Sequence, residues 1–434
     1  MPPQTKGMQR THRPTRVSSP GAHGAPPAPC VRRLISAVLL PALTTFWLFP
    51  AHASESVRGR RAGAPPHQAA VGIRTGRGRA LWPGSRFTAA DRARAVRRGL
   101  QFIYRTALDR DNFDAYGSDY LWCFYTISAG VSDHALRRTA RRMGVEHARE
   151  WRRTHRALGA QASADEVINF AFGSDAADSL GVRDDGLRRQ IRRAASRLSA
   201  RDLLLFDPLT EPPPRDVPEA CEFDRVTNAR GATVCRRCGR PLRMRSRYDV
   251  WYDALITAYV GDRYGVRLGA AYGDVLKWLP SLRPYRGSEA GANAEFYDTV
   301  YAITHVVYTL NDYGQYRLPA RLLPDEFAFL RANLREAIAQ GDADMLGEFM
   351  DSLRALGMTD ADEEIRAGTE YLLAHQNADG SWGDARERDV YLRYHPTWGG
   401  VAALSNYAWR ASGPRPSKLR LLLALRADGA ARKD

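Results

Sequence analysis

YDVWYDALITAYVGDRYG (residues 248–265) and YDTVYAITHVVYTLNDYG (residues 297–314) are two copies of one pattern set 49 residues apart. Tyr-Asp-x-x-Tyr opens each copy, a tyrosine recurs at Tyr259 and Tyr308, and Tyr-Gly closes each. A third copy, YHPTWGGVAALSNYAW, begins at Tyr394, and a fourth, SDYLWCFYTIS, covers residues 118–128. The segments before these copies also align: VRRGLQFIY (96–104) matches IRAGTEYLL (365–373) through an aliphatic residue, Arg, Gly, an aromatic and a second aliphatic. LGEFMDSLRALG (346–357) reads as a further helix of the second kind. Strand-like alternation is scarce, so the expected class is all-α, built from units of about 45–50 residues that each fold as helix, turn, helix. Such hairpins cannot bury their apolar faces alone and must stack into a solenoid or a ring.

RAGTEYLLAHQNADGSWGD (366–384) joins two such helices. Gly380 suits a left-handed turn, Asp379 and Ser381 suit turn hydrogen bonding, and Gln376 and Trp382 can tie neighbouring helix ends together. This stretch resembles the Gln-Trp repeat of squalene-hopene cyclases, with Gln376, Gly380 and Trp382 at the matching places, and YHPTW resembles the segment after that turn in protein prenyltransferases. The resemblance covers residues 248–413 well and 87–128 weakly. It implies an α/α toroid, two concentric rings of helices with the second helix of each hairpin inside. It also implies a terpenoid-cyclase-like or prenyltransferase-like protein that binds or transforms an isoprenoid in its central cavity.

On a helical wheel, Asp298, Tyr301, His305, Tyr308 and Asp312 share one side of their helix, while Val300, Ile303, Val307 and Leu310 share another. A buried helix with an acidic, imidazole and phenolic face needs a polar cavity to look into, because an uncompensated buried carboxylate is costly. Asp119, Asp249 and His395 occupy the position of Asp298 in the other copies, and Trp122, Tyr252, Tyr301 and Trp398 stand three residues later. The expected catalytic groups are therefore Asp249, Asp298, His305 and His395. Asp119, Trp122, Tyr252, Tyr301, Tyr308 and Trp398 are the expected substrate contacts. The structural alternative makes the acids helix caps and the rings packing residues.

CEFDRVTNARGATVCRRCGRPL (221–242) resembles a zinc ribbon in which Asp224 stands where the second knuckle cysteine would be. Cys221, Asp224, Cys235 and Cys238 form a candidate set of four protein ligands, which would make a bound zinc structural, with no position open for chemistry. A disulfide between Cys235 and Cys238, or between Cys221 and either, is the alternative.

The net charge of +16 is unevenly spread over the 434 residues. Residues 1–85 hold 12 of the 64 Lys+Arg but only Glu55 among the acids, leaving 52 basic against 47 acidic groups for the rest. The body is nearly balanced, so its Arg-rich helices read as solvated faces and no nucleic-acid partner is expected. Arg32-Arg33, the apolar run Leu34–Phe49 and Ala51-His52-Ala53 have the form of a secretory signal cleaved after Ala53, which implies export and no lasting membrane span, with a retained anchor as the alternative. Residues 1–53 are thus read as extension and signal, 54–85 as a disordered basic linker, 86–215 as the first helical part, 216–243 as the zinc-ribbon-like insertion, 244–413 as the remaining repeats and 414–434 as a basic tail.

Three functions fit this reading: an isoprenoid enzyme or binder, a secreted polysaccharide lyase or glycosidase on the same fold, and a non-catalytic repeat protein. Hydrolysis would draw on Asp249 and Asp298, and elimination on His305 or His395 with a tyrosine as acid.

Overall fold

The computed structural model describes residues 79–224 and 226–412, with the side chains of 411 and 412 excepted. The expected signal, the linker as far as residue 78 and the basic tail lie outside the described residues. Residues 79–85 already belong to the folded body: Ala80 bridges Thr88, and the Leu81 N–H donates to the Phe87 carbonyl at 2.9 Å.

The regular structure of the described residues is almost entirely helical. Its helices are α1 (Ala89–Ala107), α2 (Arg110–Gly130), α3 (His134–Thr154), α4 (Ala164–Ser179), α5 (Asp185–Ala195), α6 (Ala200–Leu204), α7 (Arg247–Tyr264), α8 (Tyr272–Leu276), α9 (Phe296–Leu310), α10 (Pro324–Gln340), α11 (Ala343–Ala355), α12 (Glu363–Ala374) and α13 (Tyr391–Leu404). One parallel pair, β1 (Tyr316–Arg317) with β2 (Ala411–Ser412), ties the segment after α9 to the segment after α13. Caps mark several starts: Thr88 with Asp91, Ser163 with Glu166 and Ser199 with Asp202 form reciprocal capping boxes that satisfy the otherwise orphaned first amides. No helix among the described residues is long and apolar enough to cross a membrane.

Helix α2 packs on α4, α4 on α7, α7 on α9, α9 on α11, α11 on α13, and α13 returns to α2. The intervening helices lie against this series, α1 on α2 and α13, α3 on α2 and α4, and α10 on α11. The repeated apolar face accounts for the order. Val300, Ile303, Val307 and Leu310 of α9 are all buried, as their wheel positions require. Asp312 leaves that wheel, because α9 stops at Leu310 and Asp312 and Tyr313 take left-handed backbone with φ of 52° and 51°.

The Gln376–Trp382 turn fastens the last hairpin to the first. Gln376 Nε2 donates to the carbonyls of Ala95 (2.8 Å) and Gly380 (3.0 Å), and Arg98 donates to the carbonyls of Asn377 and Ala378. Trp382 is fully buried, with its indole N–H on the Leu372 carbonyl at 2.8 Å. Gly380 has φ of +95°, and a Cβ there would lie 2.6 Å from the Arg98 carbonyl oxygen, so both backbone angle and space demand glycine.

Helices α11 and α13 approach closely at Gly347 and Gly399, where a Cβ on Gly347 would fall 2.6 Å from the Gly399 carbonyl carbon. Gly347→Ala would gain up to about 1 kcal/mol of helix propensity at an open site. Here it is expected to cost about 1–3 kcal/mol by overpacking two backbones, read as a lower urea midpoint with an unchanged slope; a stabilised variant would refute the close contact.

Candidate functional site

A cavity of about 100 Å³ lies among α2, α4, α7, α9, α11 and α13, and each contributes a side chain to its wall. Its ionisable lining is Asp119 from α2, His305 from α9, Asp344, Glu348 and Asp351 from α11, and His395 from α13. Trp122, Tyr308, Tyr313, Tyr391, Trp398 and Tyr407 supply aromatic wall. Among the described residues no arginine or lysine lines it.

His395 and Asp344 form the central pair, Nδ1 donating to Oδ1 at 2.8 Å, and the Tyr301 hydroxyl donates to the other Asp344 oxygen at 3.0 Å. Burial alone would drive the imidazole to its neutral form, but the Asp344 carboxylate overrides it and lifts His395 to about 9. Burial likewise works against the Asp344 anion, yet the His395 charge and the two hydrogen bonds hold it below the usual carboxylate range.

One turn further along α11 the balance reverses. Glu348 is buried, faces the negative Asp344 and has the Thr304 hydroxyl 2.5 Å from Oε2, and burial first, then the Asp344 charge, raises it above ordinary glutamate. His305 donates its Nδ1–H to the Tyr301 carbonyl at 2.8 Å, which assigns the neutral ring's lone pair to Nε2, and burial pushes it down to about 4. At neutral pH one wall thus carries a carboxylic acid beside a carboxylate and a neutral imidazole beside an imidazolium. Burial raises Asp351 to about 6 and also raises Asp119, whose Oδ2 accepts from the Tyr394 hydroxyl at 2.8 Å.

Six of the ten expected catalytic and substrate residues meet here: Asp119, Trp122, His305, Tyr308, His395 and Trp398. Tyr301 and Tyr252 stand behind them. Tyr301 holds Asp344, and the Tyr252 ring stacks on His305 with centroids 5.3 Å apart. Asp249 and Asp298, the expected acid pair, do not line the cavity. The Arg245 guanidinium takes both oxygens of Asp249 at 2.7 and 2.8 Å and also pairs with Asp253, so Asp249 serves an ion pair. Asp298 belongs to that same group, raised first by burial and then by the charge of Asp249.

Asp344, Glu348 and Asp351 were missed, because α11 lacks the acid-then-aromatic template that marks the other copies. Their signal was the i, i+4, i+7 spacing of carboxylates in an otherwise apolar helix, which puts all three on one face.

Cys221, Asp224, Cys235 and Cys238 form a second cluster, all four ligand atoms lying within 4.8 Å of one another. The cysteines are free: 3.5 Å separates the sulfurs of Cys221 and Cys238, far beyond a disulfide bond of about 2.05 Å. Cys235 Sγ is 3.5 Å from both Asp224 oxygens. A tetrahedral ion with bonds of about 2.3 Å to sulfur and about 2.0 Å to oxygen places S···S near ~3.8 Å and S···O near ~3.5 Å, so this group is close enough to hold a metal ion.

Residues 294–404 match a family described as Domain of unknown function (DUF6895). The match runs from the start of α9 to the end of α13 and so contains His305, Asp344, Glu348, Asp351 and His395. No curated protein and no solved structure matches the chain.

A histidine raised from 6.5 to about 9 by folding contributes stability that is complete below pH 6.5 and is lost as pH climbs through about 9. His395→Gln is therefore expected to be destabilised by on the order of 3 kcal/mol at pH 6, with the gap to wild type closing by pH 10. Urea titrations across that range check it; a gap that widens with pH would show that His395 is not the cation of this pair.

Proposed function

We propose that the described helices form an α/α toroid whose central cavity performs general acid–base chemistry on a glycosidic bond. The observation that carries this reading is the opposed ionisation of Glu348 and Asp344 one turn apart on α11. Two carboxyl groups driven apart by their surroundings are what glycoside cleavage uses, one as proton donor to the leaving oxygen and one as the anion facing the positive anomeric carbon. Glu348 takes the first role and Asp344, held ionised by His395 and Tyr301, the second. The aromatic wall supplies flat faces for sugar rings. The helix series that returns from α13 to α2 supports the toroid.

The isoprenoid reading rests on the Gln-Trp resemblance and on the same aromatic wall. It is the weaker one on chemical grounds. A carboxylic acid with a raised pKa is a poor donor to an alkene, and a wall of Asp119, Asp344 and Asp351 without arginine or lysine repels a diphosphate. Elimination from a uronate meets the same repulsion, and His305, pushed down to about 4, is neutral but a weak base for it. Export of the protein, read from residues 32–53, would place this activity on extracellular carbohydrate.

Glu348→Gln is expected to lower kcat on unactivated glycosides by about 10²–10⁴-fold, with little change in KM, and to spare dinitrophenyl glycosides, whose leaving group needs no proton. For the wild type, kcat should fall on the alkaline side as Glu348 loses its proton. Equal losses on both substrate types would remove Glu348 from the acid role.

The Cys221–Cys238 segment we read as a structural zinc site with three thiolates and Asp224. Purified protein should carry about one zinc per chain, and Cys235→Ser should lose it and melt earlier. Metal-free protein of unchanged melting temperature would end this assignment.

A further inference from the structure

The cavity's charge is opposite to that of the molecule around it. The chain holds 64 Lys+Arg against 48 Asp+Glu, yet the ionisable wall is four carboxyl groups and two histidines. His395 compensates Asp344, to which it is hydrogen-bonded, and His305 is neutral. That leaves Asp119, from α2, and Asp351, from α11, with no arginine or lysine in the wall; the charge of His395 acts on Asp119 and that of Arg354 on Asp351. Arg354, one turn beyond Asp351, is committed elsewhere: it donates to the Ala403 carbonyl at 3.0 Å and to Asp360 at 2.6 Å. The hydrogen bond to Asp119 comes from the Tyr394 phenol, which orients the carboxyl group without supplying a positive charge.

The rings add to this field. Tyr308 and Tyr313 lie 5.7 Å apart, Trp122 lies 5.1 Å from Tyr313, and Trp398 flanks His395 at 6.1 Å. Tyr313 is held there by left-handed backbone at two successive non-glycine residues, and strain of that kind persists only where the surroundings enforce it. Electron-rich faces around a pocket attract a cation, more strongly when water is excluded, and carboxylates beside them attract it further.

We infer that this cavity binds a ligand bearing an ammonium group and that, resting on the glycosidase reading above, its substrate is an amino sugar with a free amine. The amine meets Asp119 or Asp351 while the sugar ring packs on the aromatic wall. Binding would relieve the cost of holding these carboxylates away from water, so the same groups that are unfavourable in the empty cavity become the source of selectivity.

The experiment is calorimetric titration of full-length Glu348→Gln, in which turnover of unactivated glycosides is slowed, with a glucosamine trisaccharide, its N-acetylated form and a glucose trisaccharide of the same linkage. The glucosamine form should bind at least about tenfold more tightly than either neutral one. Asp119→Asn and Asp351→Asn, each checked for native helicity, should shrink that ratio. Equal or tighter binding of the neutral sugars overturns the inference. Cleavage of neutral glycosides by the wild type without ammonium preference leaves the glycosidase reading standing and this inference fallen. Tight binding of a simple alkylammonium, with no glycoside cleaved, has the opposite meaning: the cation site stands and the glycosidase reading falls.

Discussion

Everything about the site depends on the two ends of the described chain meeting. Helix α1 packs on α12 and α13, and the join is made by side chains that donate to backbone carbonyls, one within α1 and two at the end of α13. Gln376 reaches the Ala95 carbonyl, and Arg92 and Arg354, both nearly inaccessible, donate to the Leu404 and Ala403 carbonyls at the end of α13. Asp360 bridges the two guanidiniums at 2.7 and 2.6 Å. A helix end leaves four carbonyls without partners, and a buried one needs exactly this kind of donor. The Asp360 carboxylate lets both arginines stay charged where burial would otherwise penalise them. With the join in place, α13 faces α2 and His395 shares a cavity with Asp119.

The second constraint is electrostatic. Six ionisable groups face one small space, and they cannot all be charged there. The outcome is partition: an ion pair at His395 and Asp344, a protonated Glu348 and a neutral His305. Small differences of position decide which group takes which state. Asp344 has a cation and two donors, whereas Glu348, one turn away, has a hydroxyl and the charge of Asp344. The same helix therefore presents an anion and an acid side by side, which is the arrangement that acid–base chemistry requires.

Much of this is legible in the sequence. The 49-residue repeat located α7 and α9, the buried aliphatic face of α9 followed from its wheel, and the cluster of Cys221, Asp224, Cys235 and Cys238 followed from cysteine spacing. The cavity residues on α2, α9 and α13 came from transferring one position of the repeat to the other copies. The same transfer failed for Asp249 and Asp298, because Arg245, just before α7, lies outside the repeat and captures Asp249. It also passed over α11, whose carboxylates do not follow the template although their spacing is plain.

Sequence alone determined the class of element, the apolar faces and the candidate ligands of the cysteine cluster, because these depend on periodicity and on residues close along the chain. Which acids share the cavity, and which of them keep their protons, only the tertiary structure decided. A carboxylate's state depends on burial and on the charge a few ångströms away. For Asp344 that charge is His395, 51 residues later in the chain, and for Asp249 it is Arg245, so equivalent positions in a repeat acquire different chemistry.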